Sequence, residues 1–169
     1  MSGSRSAGGD LSSGGLDGSS KPSVAESRST RYAVDGENRP GGGATISART
    51  STLAFEGSAA TGEVLPGPAD LLAAALAACI LKNVERFSGL LPFRYERARV
   101  YVEVEREEPP PRIVPAHYTL RIVTDEPEHR VELLHRNVVR FGTVTNTLAA
   151  ACEVSGTVVA EPRASGAEG

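Results

Sequence analysis

The sequence predicts an α+β domain, an antiparallel sheet wrapped around one long central helix. Three observations carry this. An alanine-rich apolar stretch running from Pro68 to about Phe87 stands in mid-chain. Strand signals flank it on both sides, β-branched segments before it and segments with a period of two, the mark of half-buried strands, after it. The resulting order (strands, long helix, strands, helix pair, strand) is not the β-α-β alternation of a doubly wound parallel sheet.

The 169 residues suit one domain with trimmings. Residues 1–29 are Gly/Ser-rich with few bulky apolar side chains, too few to offset the entropy of ordering them, and are expected to form a disordered tail. The domain is expected over 30–162, with 163–169 fraying as a C-terminal tail. A hydrophobic fraction of 40% is enough for a core, but Trp is absent and aromatics make up 5%, so Val, Leu, Ile and Ala must fill it.

Within the domain, Thr30–Val34 and Ala44–Phe55 carry β-branched residues around Asp35-Gly36 and the Pro40–Gly43 run, which predicts two or three short antiparallel strands. The Gly run is a turn or loop, since no Lys-Ser/Thr follows it as phosphate cradling requires. The long helix opens at Gly67-Pro68-Ala69-Asp70. Pro68 suits the first turn, and Asp70 favours the positive end of the helix dipole. Ser88-Gly89 is expected to end it. Its first half is apolar nearly all round, which predicts burial on more than one side, between layers or against a second subunit.

Beyond the helix, Val100, Val102 and Val104 alternate with Arg99, Tyr101, Glu103 and Glu105. Tyr118, Leu120 and Ile122 alternate with His117, Thr119 and Arg121. These predict an antiparallel pair with one wet face. Asp125-Glu126-Pro127-Glu128 reads as a capping box, with Asp125 as N-cap. It opens a helix carrying Val131, Leu134, Val138 and Phe141 and stopping at Gly142. A short helix from Thr143 to about Ala149 and a strand over Cys152–Ala160 close the domain.

Composition narrows the function classes. A net charge of −3, from 18 basic and 21 acidic residues, gives no global attraction to nucleic acid or anionic lipid. The longest apolar run, Leu71–Leu81, is shorter than the roughly 20 residues of a membrane crossing. With no apolar signal segment at the start and two cysteines, Cys79 and Cys152, a reducing cytoplasm is the expected setting. His117, His129 and His135 show no metal-ligand spacing with the cysteines, so neither metal nor cofactor is expected.

Cys79 is the centre of any chemistry. On an apolar helix a free cysteine is commonly inert packing. In mid-helix it also lacks the dipole that activates thiols at helix N-termini. Lys82, three residues on, is either a helper or a solvated charge. Cys152 opens the last strand outside any motif, where packing is the simpler role. Asn146 is expected to bond local backbone or to line the site. The Glu103–Arg112 charge run reads as a solvated strand face and turn.

Gly67-Pro68-Ala69-Asp70-Leu71-Leu72, followed by Ala73–Ala78 and Cys79, resembles the Asn-Pro-Glu-x-Leu…Ala-Ala-Cys helix of the OsmC/Ohr family. Gly142-Thr143-Val144-Thr145-Asn146-Thr147-Leu148 resembles that family's Cys-x-Val-x-Asn-x-Leu segment. The resemblance covers roughly Arg31 to Pro162. It implies the OsmC-like fold, an intertwined homodimer with sites at the subunit interface, and thiol-dependent reduction of organic hydroperoxides. In such enzymes one cysteine attacks the peroxide and a second resolves the sulfenic acid, while a Glu and an Arg position the first thiolate. By this resemblance Cys79 takes the first-cysteine position. The second-cysteine position is Gly142. The Glu falls on Ala69, leaving Asp70 as the neighbouring carboxylate in a binding role, and the Arg is assigned first to Arg49 and second to Arg39. A one-cysteine cycle recycled by an external thiol is the resulting expectation. The alternative is a non-enzymatic dimer that binds a small apolar ligand or is purely structural.

Overall fold

The computed structural model describes residues 29–163 except 42, 60, 61 and 63. The expected tails therefore lie outside the described residues, apart from Ser29 and Arg163.

Among the described residues six strands and three helices follow in the order β1 (Asp35–Asn38), β2 (Gly43–Ala48), β3 (Ser51–Glu56), α1 (Pro68–Leu90), β4 (Arg97–Glu107), β5 (Arg112–Val123), α2 (Glu128–Arg140), α3 (Thr143–Ala149) and β6 (Glu153–Glu161). The α+β class and the long mid-chain helix are as expected. The strands form two separate three-stranded sheets, β1-β2-β3 and β4-β5-β6. Thr30–Val34 is not a strand; the first strand starts at Asp35 and takes Asp35-Gly36 into its ladder, opposite Ser47 and Ile46. Here pairing with β2 overrides the local turn signal.

The second sheet is mixed. β4 and β5 are antiparallel, with Val100 opposite Leu120 and Val102 opposite Tyr118, but β6 runs parallel to β5. A parallel return needs a long crossover, and the α2–α3 pair supplies it.

α1 runs past Ser88-Gly89 to Leu90. Ser88 Oγ turns back to the Glu85 carbonyl at 2.8 Å, and the Leu91 N–H reaches the Phe87 carbonyl at 2.9 Å before Pro92 ends the helix. At its start the Gly67 N–H donates to Asp70 Oδ2 at 2.8 Å, a cap that also suits the helix dipole.

The expected Asp125 cap of α2 is not formed; Pro127 is the N-cap. Asp125 instead lies 3.4 Å from Arg163 Nε. Glu126 takes the anchoring role. Its Oε1 accepts from the Arg94 N–H at 2.9 Å, and its Oε2 lies 2.7 Å from Arg130 Nε. Arg130 in turn donates to the Leu91 and Pro92 carbonyls at 2.8 and 2.9 Å, so the start of α2 is clamped to the α1–β4 loop.

The core is one cluster. Leu76, Ile80, Val84 and Phe87 of α1 meet Tyr118, Leu120 and Ile122 of β5 and Val131, Leu134 and Val138 of α2. Full burial of each Leu, Ile or Val stabilises the fold by about 1.5–3 kcal/mol. No residue of β1–β3 belongs to this cluster. α1 is thus covered on one stripe within the protomer, while Ala74, Ala75, Ala78 and Leu81 are exposed.

Tyr118 locks β5 to its neighbours. Its hydroxyl lies 2.7 Å from His135 Nε2 on α2, and its ring fills the space a side chain at Gly156 of β6 would need, with ring carbons 2.3 Å from an ideal Cβ. Burial holds His135 below the usual 6.5. The unfolded chain therefore binds the His135 proton first as pH drops, so stability is full above about pH 6.5 and falls below it. Thermal unfolding between pH 7.5 and pH 5 should show this decline, flattened in His135→Gln. Gly156→Ala should lower stability by about 1–3 kcal/mol in urea unfolding, because the Tyr118 ring cannot yield without leaving His135.

Candidate functional site

Cys79 lies in the middle of α1 on the border of its buried stripe, half-buried and not disulfide-bonded. One turn further on, Asn83 faces the core at 7% exposure, and its Nδ2 donates to the Val138 carbonyl of α2 at 3.2 Å. A polar side chain in an apolar stripe must find such a partner. This bond ties the turn after Cys79 to the last turn of α2, just ahead of Gly142.

Gly142 is buried and serves as the N-cap of α3. An ideal Cβ on it would stand 2.5 Å from Thr145 Oγ1, 2.9 Å from Thr145 Cβ and 3.3 Å from the Val138 carbonyl. The same carbonyl therefore contacts both Asn83 and position 142, which the sequence resemblance aligns with a second cysteine. Thr145 occupies that position's side-chain space. It is only 3% exposed, and its hydroxyl has no hydrogen-bond partner.

The other expected site residues are scattered. Arg49 is the first residue of the two-residue β2–β3 turn, exposed, at φ +57°. Arg39 is exposed and pairs with Glu37 at 2.7 Å. No hydrogen bond or ion pair joins either arginine to Cys79. Lys82 is exposed on α1. Asp70 is engaged as the α1 cap. Asn146 Nδ2 donates to the Arg140 carbonyl at 3.1 Å, a local backbone bond. Cys152 is half-buried just ahead of β6, its N–H bonded to the Leu148 carbonyl at 2.9 Å.

A cavity of about 570 Å³ opens at the start of α1. Ala69, Asp70 and Leu72 line it on one side, Arg106, Arg112 and Ile113 of the β4–β5 hairpin on the other. Arg112 is held by Glu107 at 2.8 Å, and Arg106 pairs with Glu108. Cys79 is not part of its wall. Among the described residues no group of three or more His, Cys, Asp or Glu could hold a metal ion. No described helix is long and apolar enough to cross a membrane.

Asn83 and Thr145 are missing from a motif-based reading. Asn83 had a visible signal, a polar residue one turn from Cys79 within an apolar stripe. Thr145 had none, because its role depends on how α3 turns back over Gly142.

The sequence model of the OsmC-like proteins matches residues 60–156, more than half of the chain and both motif segments. The chain belongs to the OsmC-like protein family. Solved OsmC-like structures share its fold. The OsmC-like protein from Mycoplasma pneumoniae superposes with a TM-score of 0.73 at 14% identity, covering 79% of this chain and 99% of that one. An organic hydroperoxide resistance protein OsmC from Legionella pneumophila gives 0.61 at 16%, covering 77% and 98%. OhrB of Bacillus subtilis, an organic hydroperoxide resistance protein, gives 0.58 at 17%, covering 76% and 98%. A comparison with curated proteins finds no match.

Within this OsmC-like fold, Gly142→Ala should destabilise by about 1–3 kcal/mol, because Thr145 must move. Thr145→Ala alone should be near neutral or stabilising, since it removes a buried hydroxyl that bonds nothing. The double variant should recover only part of the Gly142→Ala loss, as the Thr145 Cβ stays in place. Urea unfolding of the three variants measures all of this.

Proposed function

We propose that this OsmC-like protein reduces organic hydroperoxides through Cys79 in a one-cysteine cycle. The observation that carries the reading is Cys79 itself. By the sequence resemblance it takes the first-cysteine position, it lies inside the segment that the family model matches, and it is half-buried rather than sealed within the apolar stripe.

In this cycle the Cys79 thiolate attacks the outer oxygen of ROOH. The O–O bond breaks, ROH leaves with a proton, and Cys79 becomes a sulfenic acid. With glycine at position 142, the sulfenic sulfur is attacked by an external thiol, releasing water and forming a mixed disulfide. A second external thiol then displaces Cys79 and leaves as the disulfide of the reductant. Two thiols are oxidised for each hydroperoxide reduced.

Activation of the thiolate calls for a cation. Arg49, at the tip of the β2–β3 hairpin, is our candidate, brought to Cys79 by a second protomer, with Arg39 as the second choice. A homodimer also gives a place to the exposed Ala74, Ala78 and Leu81 of α1. It does the same for the apolar face shared by Ile46, Leu53 and Phe55, with Leu53 47% exposed. Asp70 and Asn146 border the site in a supporting role, and the protein works in the cytoplasm.

A second reading rests on the cavity at the start of α1. Its walls of Leu72, Ile113 and Ala69 suit a small apolar ligand without catalysis. Consumption of cumene hydroperoxide with dithiothreitol in excess separates the two. The peroxidase reading expects turnover that Cys79→Ser abolishes, Arg49→Ala lowers by about tenfold or more, and Cys152→Ser leaves intact. Equal rates in the wild type and Cys79→Ser would sink it.

A further inference from the structure

The outer face of β4 carries a charge pattern with a symmetry of its own. Reading every second residue gives Arg97, Arg99, Tyr101, Glu103 and Glu105, all exposed, with Tyr101 at 65%. Two positive charges, one aromatic ring and two negative charges are spaced about 6.8 Å apart along the strand. The order changes sign about Tyr101. Turned end for end, it is complementary to itself.

Three further facts set this face apart from an ordinary solvated strand. Arg99 stands directly opposite Arg121 in the β4–β5 ladder, a like-charge pair that costs stability. Arg121 is compensated by Glu161 at 3.3 Å, whereas Arg97 and Arg99 have no ion-pair partner among the described residues. The opposite side of the strand, Ala98, Val100, Val102 and Val104, already packs on the core. The charges therefore lie on the face of β4 that nothing among the described residues covers.

We propose that this face is a self-association surface whose occupant is a second copy of the chain, laid antiparallel across it on a two-fold axis through Tyr101. Arg99 then meets Glu103 of the second copy, Arg97 meets its Glu105, and the two Tyr101 rings stack at the centre. Each charge pair occurs twice and the Tyr101 pair once, on the axis, as an isologous interface requires. Aromatic and arginine side chains at the centre are what protein interfaces favour. The strip is about 27 Å long and two to three strands wide, so each copy buries on the order of 400 Å². That is below the area of a stable complex, and the association is weak, reversible and weakened by salt. It is separate from the apolar dimer proposed above and does not depend on the peroxidase reading.

The test is sedimentation velocity on the full chain at about 0.01 M and about 1 M salt, where screening lengths are roughly 30 and 3 Å. The high-salt mass reports any apolar dimer. The expected result is a further, concentration-dependent rise in mass at low salt only. Arg99→Glu and Glu103→Arg should each abolish the rise, with far-ultraviolet circular dichroism unchanged because both positions are exposed. An equimolar mixture of the two variants should restore it, since Glu at 99 of one copy then faces Arg at 103 of the other, and the wild-type pair is kept on the second side. No low-salt rise in the wild type, a rise that survives in either variant, or a mixture that stays at baseline each overturns the proposal. So does a wild type that stays at baseline alone but gains mass with an acidic polypeptide such as polyglutamate, which would assign the face to an acidic partner.

Discussion

The stripe formed by Leu76, Ile80, Val84 and Phe87 on α1 is the surface on which the second sheet and the two later helices are assembled. β5 and α2 reach their positions by burying apolar side chains against it, and β4 and β6 follow by pairing with β5. Asn83 is the polar member of that stripe, and its bond to the Val138 carbonyl fixes how far α2 slides along α1. Together with the Arg130 bonds to the Leu91 and Pro92 carbonyls, this directed contact holds the register in a region of otherwise non-directional burial. Cys79 and Gly142 inherit their relation from it.

The same stripe explains why the chain divides its apolar surface as it does. A helix that buries one face on its own sheet and leaves alanines on the other offers a backbone that a neighbour can approach closely. The first sheet contributes nothing to the core cluster, although it has an apolar face of its own. Two partly exposed apolar surfaces on one chain of this size are an aggregation liability unless something covers them. Because β2 and β3 supply one of them, the hairpin that bears Arg49 is tied to the question of assembly as much as to that of catalysis.

Much of the fold was legible in the sequence because periodicity is a local property. Val100, Val102 and Val104, or Val131, Leu134 and Val138, announce strand and helix without reference to the rest of the chain. The parallel pairing of β6 was not legible, since direction depends on where the α2–α3 crossover delivers the chain. The α2 cap was misplaced for a related reason. Asp125 and Glu126 are adjacent acids, and only the arrival of Arg94, Arg130 and Arg163 decides which one anchors which segment. The motif resemblance singles out Cys79, Ala69 and Gly142, but the filling of the Gly142 space by Thr145 is a contact made by the fold. The Arg99–Arg121 juxtaposition was hidden in the same way, because a global charge balance averages over strands that folding sets side by side.

The β2–β3 turn holds Arg49 at φ +57°, a backbone state that favours glycine. A side chain there costs roughly 1 kcal/mol relative to one that carries no Cβ. Selection for stability alone has an easy step at this codon, toward glycine or asparagine. Under the proposed cycle, the need for a cation beside Cys79 opposes that step. The two pressures point in opposite directions at a single exposed residue, where packing does not interfere with the comparison. If the proposed cycle holds, a mutational library sorted once for folding and once for Cys79-dependent peroxide reduction shows Arg49 as a position where the two rankings part.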